Sequence, residues 1–435
     1  MKDIDLEVKH VTRVEGHGNI IVNGKEGELE RVLWEVSEAP RFFEAFVKDK
    51  PYTQLAQVTA RICGICSIGH ALTSLKATEA AMDIEVSERD TLLRKLALHG
   101  ENMQSHVLHV GYLALPDLVG EGSVIPLTSS HPEEVKKVIS VHKLANELSR
   151  LTCGRTTHPR RLIPGGFSKL PSPLELENMK TKLKESVPVL QDIASFVKDL
   201  SSALPDFERE TEFISLTHED EYAFYDGKIA SSDGDITPVD DYLSVTNEYV
   251  VPQSTAKYTK NNRKSYMVGA LARLNNNYDH LTPLAKEVAE DFGLSPVCHN
   301  PYMNTVAQLV EVVHSVEDSL NIIDDVLDKG IEEQGLNYQP DIEPKAGTGV
   351  GAVEVPRGIL FHEYTYDDEG RCTEANCIIP TNQNHGNIQH DMEKLVPEMI
   401  GEKSEDEIEL TLEMLVRAYD PCISCSTHYV DVEFR

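Results

Sequence analysis

The feature that most constrains this chain is a pair of Cys-x-x-Cys motifs near its two ends. The first motif holds Cys63 and Cys66, and the second holds Cys422 and Cys425, almost at the C-terminus. A Cys-x-x-Cys step lets one tight turn direct two sulfur atoms toward one ion, and four thiolates suit zinc, copper(I), iron–sulfur iron or nickel. If the four sulfurs meet, the fold must bring the two ends of the chain together.

The cysteines alone leave the kind of site open. Structural zinc modules usually keep their pairs within roughly 12–20 residues of each other. Here most of the chain separates the pairs, so a local zinc knuckle is excluded. Structural zinc held by distant segments and a catalytic metal are equally compatible with the motifs. A redox dithiol is less favoured, because each pair is followed closely by a histidine, His70 or His428.

Length and charge narrow the class of protein. A chain of 435 residues is expected to form two or three interlocked domains. Its formal net charge of −31 disfavours binding to nucleic acids or to an anionic membrane surface. The sequence has no apolar run as long as a membrane span and no apolar signal core at its start, so we expect a cytoplasmic protein.

Other residues that can bind metals have simpler interpretations. Scattered cysteines are typical of small hydrophobic residues buried in a reducing compartment, and they are Cys153, Cys298, Cys372 and Cys377. Three histidines on one predicted helix are expected to be core or hydrogen-bonded residues, and they are His99, His106 and His109.

Hydrophobic periodicity predicts an α+β fold that is predominantly helical. We expect a central bundle of long helices, a small N-terminal antiparallel sheet over residues 1–36, and peripheral α/β subdomains. A helical stretch should follow Pro40, and a further helix should follow the capping box Ser404-x-x-Glu407. The long helices are predicted at about 67–82, 88–115, 132–152, 174–203 and 303–329.

Glycine, proline and asparagine mark the expected boundaries. Asn23-Gly24 is typical of a turn between strands, Pro116 should end the second long helix, and Gly154 should cap the third. The glycine-rich run 347–351 is interpreted as a close approach of the backbone to a crowded region rather than as a phosphate loop. The expected segments are a β-rich 1–60, a helical 61–203 with the first metal motif, an accessory 204–265, a long-helix 266–345, and a C-terminal 346–435 with the second metal motif.

The residues around the cysteines carry a family resemblance. RICGICSIGH at 61–70 and DPCISCSTH at 420–428 resemble the two metal-binding motifs of the large subunit of nickel–iron hydrogenases. Four further stretches resemble that family in the same order along the chain. They are Arg13-Val14-Glu15-Gly16-His17, Gly154-Arg155 with His158-Pro159, Glu354-Val355-Pro356-Arg357-Gly358, and Ile379-Pro380-Thr381 with Asn384. The resemblance therefore covers essentially the whole chain.

The resemblance implies a role for each cysteine of the two pairs. Cys63 and Cys422 would be terminal thiolates on nickel. Cys66 and Cys425 would bridge nickel to an iron that carries cyanide and carbon monoxide. H2 would be split heterolytically, with the proton passing to a sulfur. Glu15 would then take the proton from the sulfur of Cys422.

The resemblance also implies residues that surround this centre. Arg357, beside Pro356, would lie over the open coordination position, and Asp420 would orient its guanidinium. Thr381, beside Pro380, would donate a hydrogen bond to a cyanide ligand.

Further implied roles concern a bridging sulfur and a second cation. His70 would form a hydrogen bond with a bridging sulfur. Glu44 and His428, with Cys377, would hold a magnesium or iron ion. Family precursors are usually cut after the final histidine, so Tyr429–Arg435 belong either to an unprocessed form or to a member that keeps a short tail.

Electrons are expected to leave through partner proteins. Both cysteine pairs serve one site, which leaves no spare pair for an iron–sulfur relay within the chain. The resemblance implies an iron–sulfur small subunit. RVEGH and the final DPCISCSTH, with His rather than Arg, fit the cytosolic bidirectional type of hydrogenase, and this type implies flavin and iron–sulfur subunits that use NAD(P), coenzyme F420 or ferredoxin. The alternatives are a protein like the quinone-site subunit of respiratory complex I, which lacks the metal thiolates, and an interaction protein with structural zinc.

Overall fold

The computed structural model describes residues 4–25, 28–331, 338 and 340–427. Its strands are β1 (Ile4–Val8), β2 (Gly18–Lys25), β3 (Glu28–Val36), β4 (Leu162–Ile163), β5 (Gly166–Phe167), β6 (Glu212–Thr217), β7 (Lys228–Ser231), β8 (Ile236–Thr237), β9 (Tyr266–Met267), β10 (Gly347–Val355), β11 (Gly358–Tyr366) and β12 (Cys372–Ile378). Its α-helices are α1 (Phe43–Val47), α2 (Tyr52–Thr59), α3 (Ser67–Met82), α4 (Glu88–Leu108), α5 (Leu115–Leu118), α6 (Val124–Ser130), α7 (Pro132–Cys153), α8 (Pro173–Leu200), α9 (Leu243–Thr246), α10 (Ala270–Asn277), α11 (Pro283–Asp291), α12 (Asn304–Lys329), α13 (Pro380–Met399), α14 (Glu405–Ala418) and α15 (Ile423–Ser426).

The long helices form the predicted central bundle. Helix α4 packs against α7 and α12, and α8 packs against the same two helices. Their apolar faces enter one large core, which also takes in the N-terminal strands and the second cysteine pair. The fold class is therefore α+β and predominantly helical, as the sequence predicted. The division into five segments stays a prediction.

The first three strands form the predicted N-terminal antiparallel sheet, in the order β1–β2–β3. Alternate residues of β1 are buried, so one face of the sheet covers the core. The turn predicted at Asn23-Gly24 is wrong, because β2 continues to Lys25 and pairs with β3 there. These two residues instead coincide with a shift of register in the pairing, which glycine accommodates readily.

Several helix boundaries agree with the sequence. Helix α3 spans the predicted 67–82, Gly154 ends α7 with a φ of +77°, and the Ser404 capping box starts α14. The helical stretch expected after Pro40 is divided into α1 and α2, because Pro51 lies between them in an extended conformation.

The end of the predicted helix 88–115 differs from the expectation. Helix α4 stops at Leu108, a turn of π-helix covers His109–Ala114, and α5 continues to Leu118. Pro116 therefore does not end the helical path. It lies in the first turn of α5, where a residue without a backbone N–H leaves no helical hydrogen bond unmade.

A second antiparallel sheet, β10–β11–β12, packs on α3 through glycines. A Cβ atom at Gly347, Gly349 or Gly351 would lie 2.2 to 2.3 Å from a backbone atom of α3. The close approach predicted for this glycine run is confirmed. It places the turn between β10 and β11, which carries Pro356 and Arg357, beside the helix that follows the first cysteine pair.

Two further regions complete the fold. The accessory stretch contains β6, β7 and β8, which join β9 in a sheet of order β8–β7–β6–β9. Helix α13 was not predicted. Its second half buries an apolar stripe at Ile388, Met392, Leu395/Val396 and Met399, whereas the buried face of its first half is largely polar. That face includes Asn382, Gln383, Asn384, His385 and Asn387. Within the described residues, the helices are too short or too polar to cross a membrane.

Candidate metal centre

The two cysteine pairs meet in the interior of the fold. The sulfur atoms of Cys63, Cys422 and Cys425 lie within 4.8 Å of one another, and the first two are 3.5 Å apart. The backbone N–H of Cys66 donates to the Cys63 sulfur at 3.2 Å, so the fourth cysteine borders the same cluster. All four are free, buried thiols.

The first pair is held mainly by its own loop and by the start of α3. The backbone N–H groups of Ile65 and Cys66 donate to the Cys63 sulfur. Just beyond, Ile68 and Gly69 donate their N–H groups to the Glu101 carboxylate, at 2.6 and 2.9 Å. Burial raises the pKa of Glu101 to about 8, although these two hydrogen bonds oppose the shift. This carboxylate pairs with N–H groups that a helix end otherwise leaves free.

The second pair is held by contacts with distant parts of the chain. Asp420 leaves α14 with a φ of +49°, which turns the chain toward the site. Glu15 then runs beside the motif: its N–H donates to Pro421 O at 3.4 Å and its carbonyl accepts from Ile423 N at 2.9 Å. The backbone N–H of Cys422 donates to Thr381 Oγ1 at 3.0 Å.

Arg41 connects the backbones of the two motifs. Nη2 of Arg41 donates to the carbonyl of Ile62 at 2.7 Å and to the carbonyl of Ser424 at 2.8 Å. One residue precedes the first cysteine pair, and the other lies within the second. The guanidinium therefore holds the two loops in register through their backbones.

The environment of the thiols favours negative charge at Cys63. Hydrogen bonds from neighbouring thiols, that of Cys422 first, lower the pKa of Cys63 well below its usual value, and the charge of Arg357 acts in the same direction. Burial lowers the pKa of Arg357, but the carboxylate of Asp420 and the nearby cysteines raise it by more than burial lowers it. The pKa of Arg357 therefore lies well above its usual value. The site thus combines one thiol that favours its charged form with a fixed cation.

The Glu15 side chain lies beside the second motif. Its Oε2 atom accepts from the Cys422 thiol at 3.2 Å and from the backbone N–H of Ser424 at 3.1 Å. The Ser424 hydroxyl donates to the other oxygen. The carboxylate is only half-buried, so it links an enclosed sulfur with the less enclosed rim of the site.

Arg357 reaches across the site from the β10–β11 turn. Its Nη1 atom lies 3.4 Å from the Cys66 sulfur and 3.3 Å from Ser105 Oγ. Its Nη2 atom donates to Asp420 Oδ1 at 2.7 Å. The other carboxylate oxygen accepts from Gln308 at 3.0 Å, and Gln308 in turn contacts His109. The guanidinium is therefore fixed by a chain of buried polar groups.

The three histidines on the predicted helix 88–115 have the hydrogen-bonded roles that we expected. His109 contacts Gln308, His106 bonds Glu311 at 2.8 Å, and His99 bonds Asp318 at 2.8 Å.

His70 has a different partner from the predicted sulfur. Its Nδ1 atom shares a hydrogen bond of 3.2 Å with His362, and His362 bonds Tyr364. Burial lowers the pKa of His70 to about 4, so the ring is neutral near pH 7. The predicted hydrogen bond from His70 to a bridging sulfur stays a prediction.

The residues expected at a second cation lie partly outside the described chain. Glu44 is buried on α1, and its Oε1 atom accepts from the backbone N–H of Cys377 at 2.9 Å. Burial and the Glu44 charge raise the pKa of the Cys377 thiol. His428 and the tail Tyr429–Arg435 lie outside the described residues.

Sequence reasoning missed several residues that shape the site. Ser424 lies inside a motif that was recognised, so its position could have been noticed. The others are Arg41, Glu101, Ser105 and Gln308, which lie outside every motif and meet the site only through the fold.

The donor set fits a bimetallic thiolate centre better than structural zinc. Four sulfurs without disulfide bonds are compatible with either. A structural site is closed, however, and does not call for a carboxylate at a ligand sulfur with a guanidinium facing another ligand. Glu15 and Arg357 supply these two groups here. The fold and the site define a redox enzyme whose metal is bound by cysteine thiolates.

The chain belongs to the nickel-dependent hydrogenase family, whose model matches residues 41–147 and 213–428. It is 32% identical over 432 residues to the alpha subunit of sulfhydrogenase 1 of Pyrococcus furiosus, covering 98% of each chain. It is 31% identical to the corresponding chain of the F420-non-reducing hydrogenase of Methanothermobacter thermautotrophicus, covering 99% of this chain and 96% of that one.

A solved structure agrees in fold over the whole chain. It is that of an NAD⁺-reducing [NiFe]-hydrogenase in the H2-reduced state, with a TM-score of 0.86 at 27% identity, covering 98% of this chain and 99% of that one. The chain is thus the catalytic subunit of a [NiFe] hydrogenase, as its motifs predicted, and this excludes the complex I-like and zinc-protein alternatives.

Proposed function

We propose that the cysteine pairs hold a nickel–iron centre with cyanide and carbon monoxide on the iron. Cys63 and Cys422 would be the terminal ligands of nickel, and Cys66 and Cys425 would bridge to iron. When bound, this centre supplies the reversible heterolytic cleavage of H2. The convergence of sulfurs from both ends of the chain supports the proposal.

Glu15 is proposed to carry protons to and from the site. Its Oε2 atom is 3.2 Å from the Cys422 sulfur, a distance suited to direct proton transfer. The two donors on Ser424, its backbone N–H and its hydroxyl, orient this carboxylate. Because the side chain is half-buried, the proton can continue toward solvent.

Arg357 is proposed to provide a fixed positive charge at the reacting position. Asp420 holds the guanidinium by its side chain and its backbone carbonyl. A planar cation fixed in this way needs no reorganisation when charge develops near it. Thr381 is proposed to orient the second motif and, beside Pro380, to face a cyanide ligand; its hydroxyl already accepts from Cys422 N.

A second cation site and an electron partner complete the proposal. Glu44, the Cys377 segment and His428 would bind magnesium or iron near the C-terminal end. Electrons would pass to an iron–sulfur small subunit, and then to proteins that use NAD(P), F420 or ferredoxin. The names of relatives that are F420-non-reducing or NAD⁺-reducing support a multi-subunit assembly without selecting the acceptor. The expected cytoplasmic location stays a prediction.

Metal analysis with infrared spectroscopy tests the proposed centre. Purified active enzyme should contain nickel and iron in equal amounts at this site, and should show infrared bands of iron-bound carbon monoxide and cyanide. Zinc as the sole metal, or the absence of these bands in active enzyme, would contradict the assignment of the four cysteines.

A further inference from the structure

A second arginine, Arg273, forms hydrogen bonds with the turn that carries Arg357. The proposed chemistry gives Arg273 no role. Arg273 lies on α10 and its side chain is fully buried. All five of its N–H groups meet acceptors. Nε donates to Glu311 Oε1 at 2.7 Å, Nη2 to Glu311 Oε2 at 2.7 Å and Pro356 O at 3.0 Å, and Nη1 to Glu354 Oε2 at 2.8 Å and Val355 O at 3.0 Å.

Two of these acceptors are the carbonyl groups that directly precede Arg357 in the chain. Val355 pairs with Gly358 across the hairpin, so only Pro356 and Arg357 form the turn. Fixing the carbonyls of Val355 and Pro356 fixes the peptide planes from which the Arg357 side chain departs. From that point its guanidinium must reach both Asp420 and the Cys66 sulfur, at 2.7 and 3.4 Å.

The remaining acceptors anchor Arg273 itself. Glu311 belongs to α12 and receives two parallel bonds from the guanidinium, a geometry that only arginine provides. Burial raises the pKa of Glu311, but the charge of Arg273 outweighs this effect and lowers it to about 2. His106 and Tyr222 also bond this carboxylate. Arg273, which holds the turn, is thus anchored to helix α12 of the central bundle.

The start of α10 also touches the turn. Gly269 precedes the helix with a φ of +116°, and a Cβ atom there would lie 3.3 Å from the carbonyl oxygen of Arg357. Helix and turn are therefore in backbone contact, and Arg273 lies one helical turn beyond that contact.

We propose that Arg273 is a positioning residue for H2 activation, which aims Arg357 at the metal site by holding the carbonyls of Val355 and Pro356. The proposal rests on the role given to Arg357 above the cysteine cluster. It extends that role to a residue that touches neither a cysteine nor the reacting position.

A purely structural role is the competing explanation, and the chain offers a matched control for it. Arg94 is also fully buried, and it makes two bonds to Glu79 at 2.8 and 2.6 Å. Its other partners are Tyr225 and the carbonyl of Ile163. Replacing Arg94 by lysine removes the same fork geometry and keeps the same charge, but leaves the Arg357 turn alone.

The experiment compares R273K, R94K and R357K as assembled, nickel-loaded holoenzymes. Lysine has three N–H donors and cannot serve five acceptors, so the turn should loosen in R273K. We expect kcat for H2 oxidation to fall about tenfold or more, since small misplacements of a reacting group are costly. The KM for H2 should change little, and the infrared bands of iron-bound carbon monoxide and cyanide should broaden or shift. R94K should keep both the rate and the bands of the wild-type enzyme.

The outcomes separate this proposal from the one on which it rests. Wild-type kcat and wild-type bands in R273K would overturn the positioning role, provided that R357K is impaired. Wild-type kcat in R357K would instead overturn the role of Arg357 itself. An equal loss in R273K and R94K would show that Arg273 acts only through stability.

A second variant covers the case in which R273K does not take up nickel. E311Q removes the charge that anchors the guanidinium but leaves Arg273 able to reach the turn. It should lose activity in the same direction and to a smaller extent, with the same spectral broadening. Unchanged bands and kcat in loaded E311Q would count against the proposal.

Discussion

The two cysteine pairs of the centre are held in contrasting ways. Cys63 and Cys66 precede a helix of 16 residues, and the sulfur of Cys63 is bonded by N–H groups of its own loop. Cys422 lies just before a helix of only 4 residues and Cys425 lies within it, and the partners of this segment come from distant parts of the chain, among them Glu15, Arg41 and Thr381. The first pair is mainly a local structure, whereas the second is positioned only when the fold closes.

This difference indicates where the centre is most sensitive to change. Disturbing the first pair should act on the metal ligands and leave the loop in place. Disturbing contacts of the second pair should release a whole segment, because a short helix has little stability of its own. Glu15, Arg41 and Thr381 are therefore as important for positioning the second cysteine pair as the cysteines are for binding the metal.

The strongest effect should come from the cysteines themselves. C63S and C422S each remove a thiolate, and a serine hydroxyl is a poor ligand for nickel. Both variants should lose nickel and essentially all H2 oxidation activity, as measured by metal analysis and by dye reduction under H2. The control C298S changes a half-buried cysteine away from the site and should keep both. Nickel retained in C422S would show that the second pair is not a required ligand set.

The next largest effect should come from E15Q. The amide keeps the shape of the side chain but cannot accept a proton from the Cys422 sulfur, so H2/D⁺ exchange should fall by about 10²- to 10⁴-fold. Nickel and iron should remain. The matched control S424A removes one hydroxyl contact to the same carboxylate and should have a small effect. Full exchange in E15Q would remove Glu15 from the proton route.

A moderate effect is expected from R41Q, which directly tests whether the second cysteine pair depends more on distant contacts than the first pair does. Loss of the bonds to Ile62 and Ser424 should increase hydrogen–deuterium exchange at 420–427 more than at 61–68. Mass spectrometry of the holoenzyme measures both segments. R61Q changes an exposed neighbour and serves as the control. Equal exchange increases in the two segments would mean that the first pair is no more self-supporting than the second.

The smallest effect concerns acid sensitivity of the closing contacts. His385 on α13 bonds Ser426 of the second motif at 2.8 Å and Trp34 of β3 at 3.0 Å. Burial lowers the pKa of His385 to about 3, against about 6.5 in the unfolded chain. Between these values the unfolded state binds more protons, so stability should fall as the pH drops from about 6.5 toward 3. Urea midpoints at about pH 7 and about pH 5 should differ less in H385Q than in the wild type.

The parts of the molecule that the sequence predicted are those with local signals. The long helices follow from apolar periodicity, and the cysteine motifs identify themselves by spacing and flanking residues. The first half of helix α13 escaped because the residues it buries are largely asparagine, glutamine and histidine, whose hydrogen-bond partners, such as Glu248, Val268 and Trp34, reach them only in the folded state. Arg41 and Arg273 escaped for a related reason: their partners include backbone carbonyls far along the chain, and no sequence pattern encodes such contacts.

Because the two cysteine pairs are far apart in the sequence, the ribosome synthesises them at different times. The paired cysteines Cys63 and Cys422 are 359 residues apart, so at about 5–20 residues per second roughly 20–70 s of translation separate their appearance. Throughout that interval the ribosome carries a polypeptide with half of a thiolate set exposed to oxidants and to the wrong metals. The early pair therefore remains an incomplete ligand set until the second motif has been synthesised.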